Sequence, residues 1–67
     1  MKYAIVEGKK VTIGDWVSFK SDIEQCGKII DIRNSNLLTL KNENGFIGGY
    51  IGGQTTTFAS ASDCWID

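Results

Sequence analysis

Turn-forming residues interrupt this chain so often that no apolar stretch runs long enough for a convincing helix, which leaves short strands as the main element. Glu7-Gly8-Lys9-Lys10, Gly14-Asp15, Arg33-Asn34-Ser35-Asn36 and Asn42-Glu43-Asn44-Gly45 each read as a turn. Gly and Asn tolerate positive φ there, and Asn and Asp bond their own backbone. Between the turns lie β-prone runs at residues 2–6, 11–13, 16–20, 27–33 and 37–41, with a short last one at 64–66. The Leu-rich run 37–41 would suit a helix by propensity, but it is too short for one. Asn44-Gly45 is a strong hairpin signal and predicts residues 46–51 as the partner of 37–41, bent or bulged at Gly48-Gly49. Residues 21–26 read as a polar loop, 54–58 as β-prone and 59–63 as a small 3₁₀ turn. With no proline and no low-complexity stretch, residues 1–67 form a single all-β domain, a small barrel or sandwich of five to six short antiparallel strands.

A chain of 67 residues has a thin core. Folding at this size hides only about 60 % of the surface that the unfolded chain exposes. Large side chains must therefore fill or cover the interior, and Phe19, Phe46 and Phe58 are assigned to that task. Trp16 behaves differently. Successive residues of a strand point to opposite faces, so if Val17 and Phe19 face the core, Trp16 faces solvent or a partner. Trp16, Tyr50 and Trp65 are the candidate binding residues, able to line a groove for a peptide, a base or a methylammonium group.

Charge and residue inventory remove most other chemistry. The net charge is −1, and the seven basic residues are scattered among acids. Nucleic-acid binding is therefore the alternative rather than the first expectation, because phosphate contacts supply most of that affinity. It would use Trp16 and Tyr50 for stacking and Lys9, Lys10, Lys28 and Arg33 for phosphates. The chain has no histidine and no C-x-x-C spacing, which argues against a zinc site and against a Cys–His nucleophile, so no cofactor, no metal and no catalysis are expected. The doubled Gly48-Gly49 and Gly52-Gly53 lack the Lys-Ser/Thr of a phosphate-binding loop. Asp22 and Glu24 read as members of a solvated loop, and Asp63 as a turn cap. Cys26 and Cys64 are expected to be reduced and partly buried. No run approaches the roughly 20 apolar residues that cross a bilayer, and residues 1–10 carry no secretory pattern, so a cytoplasmic location without a membrane partner is expected.

The order of features resembles the SH3-like barrel superfamily, including KOW and Tudor-type modules. Their members often read G-D-x-V and then G-x-I/V across the first long loop, matched here by Gly14, Asp15, Val17, Gly27 and Ile29 over residues 11–67. The resemblance implies a small SH3-like barrel that binds RNA or other proteins. This chain departs from the basic character of KOW modules, and nothing in its residue order marks the aromatic cage of Tudor modules. The segments Tyr50-Ile51-Gly52-Gly53 and 61–67 are also similar to small uncharacterised proteins of tailed bacteriophages. That likeness implies only a viral origin and expression inside a bacterial host. The thin core, candidate exposed aromatics, missing catalytic set and near-neutral charge make a protein-interaction factor the first expectation, its partner a host protein or, through pairing of strand edges, a second copy of itself.

Overall fold

The computed structural model describes residues 2–21, 23–43 and 55–66 and places seven strands among them. β1 (Tyr3–Val6) and β2 (Lys9–Thr12) form a separate two-stranded hairpin. Its turn is only Glu7 and Gly8, at φ 52° and 79°, the pair of positive values that a tight two-residue hairpin requires. Lys9 and Lys10, expected in the turn, are the first residues of β2.

The remaining strands are β3 (Trp16–Ser21), β4 (Ile23–Arg33), β5 (Leu37–Lys41), β6 (Thr56–Ser60) and β7 (Cys64–Trp65). They make one antiparallel sheet in the order β6-β5-β4-β3-β7, with a 3₁₀ turn Ala61–Asp63 leading into β7. The all-β class therefore holds, whereas neither sheet closes on itself among the described residues. No described helix is long and apolar enough to cross a membrane.

Two expectations are corrected. The polar loop at 21–26 is instead the end of β3 and the start of β4, paired from Trp16↔Lys28 to Ser21↔Ile23. Polar residues cost nothing on a strand whose outer face meets water, and Glu24 and Cys26 lie exposed there. The expected pairing of 37–41 with 46–51 also fails on the side that can be seen. Both edges of β5 are taken, one by β4 and the other by β6, from Leu37↔Ser60 to Lys41↔Thr56. Asn44-Gly45 and residues 46–51 lie outside the described residues.

β4 is the spine of the fold. Over its 11 residues it pairs first with β3 and then with β5, the change falling at Lys28, followed by a bulge between Ile29 and Asp31. Gly27 makes the close approach to β5 possible, since a Cβ there would sit 3.0 Å from the Leu40 Cβ. The inner face carries Val17, Phe19, Ile29, Ile32, Leu38 and Leu40, which pack against Ala4, Val6 and Val11 of the hairpin. Two contacts of the hairpin reinforce this packing. Lys2 Nζ donates to Asp31 Oδ1 at 2.6 Å, and the Ile66 N–H donates to Glu7 Oε1 at 2.6 Å.

Candidate functional site

Local backbone geometry aims Trp16 outward. The Asp15 N–H donates to the Thr12 carbonyl at 3.1 Å, with Gly14 third in the turn at φ 104°. The Asp15 carboxylate reaches back to accept the Thr12 N–H at 2.8 Å. The Gly14 N–H donates to the Ile29 carbonyl while the Ile29 N–H donates to the Asp15 carbonyl, both at 2.8 Å. Two residues thus oppose one, the pattern of a glycine bulge at the entry to β3. The Gly14-Asp15 signal accordingly fixes the phase of β3, with Val17 and Phe19 in the core and Trp16 54 % exposed.

Trp65 shares that face. The register Ser18↔Trp65 places it beside β3 with Ser18, two residues along from Trp16. Ser18 is buried and Cys26, its partner across β3–β4, is exposed. These two side chains line both of two adjoining depressions of about 230 Å³ each. One is bounded by Glu24, Gln25 and Trp65, the other by Trp16, Val17 and Ile66. On the far side of Trp16 is a third cleft, about 290 Å³, lined by Trp16, Lys28, Lys41, Asn42 and Glu43. Asn42 is held in place, its Nδ2 donating to the Cys26 carbonyl at 3.0 Å and its N–H to the Thr55 carbonyl at 2.8 Å.

The structure thus brings Trp16 and Trp65 to one face, each bordering one of two depressions that share Ser18 and Cys26, while Tyr50 lies outside the described residues. Phe58, expected in the core, is 66 % exposed. Its register partner is Thr39, and the residues flanking it, Thr57 and Ala59, are the ones that turn toward the interior. Phe19 is buried as expected, and Phe46 lies outside the described residues. Cys26 is exposed rather than partly buried, whereas Cys64 is buried, with its Sγ donating to the Ser60 carbonyl at 3.4 Å. Burial, with the nearby Asp63 charge, pushes the Cys64 thiol up to about 11. Cys64 pairs with inward-facing Phe19 and Cys26 with Ser18, so the two thiols lie on opposite faces of the sheet and are both free.

The basic set expected for phosphates is dispersed. Lys9 and Lys10 sit on the hairpin, with Lys10 Nζ 4.8 Å above the Tyr3 ring, and Arg33 ends β4 five residues beyond Lys28. Sequence reasoning missed Lys41, because its place opposite Lys28 depends on strand register. Comparison with protein-family models, with curated proteins and with solved structures finds no match to this chain.

Proposed function

We propose that this chain is a small non-catalytic binding module that docks a segment of a partner protein in the groove between Trp16 and Trp65. The observation that carries this is the exposure of Trp16 at the head of a groove with small residues, Ser18 and Cys26, along it. The exposed half of a tryptophan is roughly 100 Å², and covering it yields about 2.5 kcal/mol at about 25 cal/mol per Å². That is enough to make one side chain the anchor of an interface.

The Lys28–Lys41 pair beside Trp16 favours a second reading, single-stranded nucleic acid stacked on the indole. Charge weighs against it. Two lysines give at most two phosphate contacts, and Glu43 lines the same cleft. At a slope of about 0.7 per phosphate, affinity would change only about sevenfold between 50 and 200 mM salt, far from the strong salt dependence of such binders.

An SH3-like architecture belongs to the same proposal, supported by the glycine bulge leading into β3 and by the sharing of β4 between β3 and β5. Phage origin and action in a host cytoplasm are carried by the resemblance alone, and self-association rests on pairing of strand edges between copies. The test is selection of a random-sequence peptide library on the immobilised chain, followed by binding to Trp16→Ala. Peptides that bind the native chain at least tenfold better than W16A support the proposal. Enrichment that ignores the substitution, or no enrichment, overturns it.

A further inference from the structure

A row of three outward side chains crosses the sheet where β3 and β5 both flank β4. Trp16 pairs with Lys28, and Lys28 pairs with Lys41. Directly opposed residues in an antiparallel pair have Cβ atoms about 4.5–5.5 Å apart, so the two lysine side chains leave the sheet side by side, and like charges so placed destabilise a sheet. Both lysines are exposed, and among the described residues neither forms an ion pair. Elsewhere the same sheet places opposite charges across from each other, as in Lys20↔Glu24, and Lys2 is paired with Asp31. The two lysines line the cleft that has the Trp16 indole as one of its walls, with Glu43 on the same cleft but not ion-paired to either among the described residues.

We infer that this cleft is a carboxylate subsite, and that its occupant is an acidic stretch of a partner protein with an apolar side chain laid on Trp16. The inference rests on the binding-module proposal and names the chemistry of its ligand. A carboxylate between Lys28 and Lys41 converts two like charges into a favourable triad. The midpoint between the lysines is about one and a half strand spacings, roughly 7 Å, from Trp16, so an apolar side chain two residues along an extended ligand, on the same face, covers the indole. Glu43, on the same cleft, supplies selectivity. It tolerates one carboxylate held between the lysines and repels a long polyanion, which separates an acidic peptide from nucleic acid.

The test is an NMR titration of the ¹⁵N-labelled chain with three probes. They are the acetylated peptide Asp-Gly-Leu-Gly-Asp, its Asn-Gly-Leu-Gly-Asn counterpart, and an oligothymidylate of equal charge. The acidic peptide is expected to shift the Trp16 indole and the Lys28 and Lys41 amides. It should bind at least tenfold more tightly than the neutral peptide and more tightly than the oligonucleotide. Lys28→Gln and Lys41→Gln should each weaken it about threefold, as expected for exposed ion pairs. Glu43→Gln should tighten it. Lys41→Glu separates site from scaffold, because replacing a like pair by an opposite one should raise the melting temperature while abolishing peptide binding. Equal binding of both peptides at Trp16 overturns the carboxylate subsite and leaves the binding module standing. Absence of any shift at Trp16 with either peptide overturns the carboxylate subsite, while the binding module falls only if the library selection also fails. Tighter binding of the oligonucleotide replaces the protein ligand by a nucleic acid, and a lower melting temperature for K41E removes the like-charge premise.

Discussion

Replacing Gly27 by alanine tests how closely β4 and β5 are packed beneath the groove. The new Cβ would lie 3.0 Å from the Leu40 Cβ and 3.6 Å from the Lys41 backbone N and O. Two carbons are comfortable at about 3.5–4.0 Å, so one of them must retreat by about half an ångström. Leu40 has little freedom to do so. Its side chain is 0 % exposed, its Cβ moves only with the backbone, and β5 is held by ladders on both sides. Overpacking of this kind costs about 1–3 kcal/mol. Removing a glycine from a strand returns about 0.5–1 kcal/mol through the unfolded chain. The net expectation is a loss of about 1 kcal/mol, within a span of about 0–2.5, against the roughly 3–10 kcal/mol typical of a domain this size. Urea unfolding followed by tryptophan fluorescence should show a midpoint lower by about 1 M with unchanged slope. A midpoint equal to or above that of the native chain would refute the packing argument.

Four further outcomes follow from single contacts. A thiol reagent should titrate one cysteine in the native chain, Cys26, and two in denaturant; rapid reaction of both in the native state contradicts the burial of Cys64. Because folding raises the Cys64 thiol from 9.0 to about 11, its contribution is present below pH 9 and should be lost as pH rises from 9 toward 11; Cys64→Ala should abolish that alkaline decline, and its persistence in the variant contradicts the assignment. Gly14→Ala forces a side chain into φ 104° and should cost about 1–2 kcal/mol in melting experiments, with a null effect arguing against the bulge. The Lys2 ammonium holds the Asp31 carboxyl below its ordinary 3.8, so the pair helps above that pH and fades as the carboxyl protonates below it. Lys2→Ala should move the Asp31 titration, followed by carboxyl NMR, upward toward 3.8.

What could be read from the chain and what could not divide along physical lines. Local chemistry was legible: Gly14-Asp15 announced a turn, the run 37–41 matched β5, and the alternation Trp16-Val17-Ser18-Phe19 placed the indole outside and the phenyl ring inside. Non-local pairing was not. A polar run such as Glu24-Gln25-Cys26 reads as loop unless one knows that its strand has a solvated face, and the β6 partner of β5 lies far along the chain. Phe58 misled for the same reason, since a one-residue change in the phase of β6 decides whether it is core or surface. The Lys28–Lys41 opposition is a product of register alone, and no spacing in the sequence encodes it.

The central claim is that Trp16 serves binding rather than folding. Its most direct test is Trp16→Ala, measured twice on one sample: by urea unfolding, and by affinity for a peptide selected on the native chain. The account predicts a stability within about 0.5 kcal/mol of native, as for a surface substitution, with affinity reduced at least tenfold. A loss of several kcal/mol with the remaining folded fraction still binding normally would show that Trp16 belongs to the core and that the groove lies elsewhere.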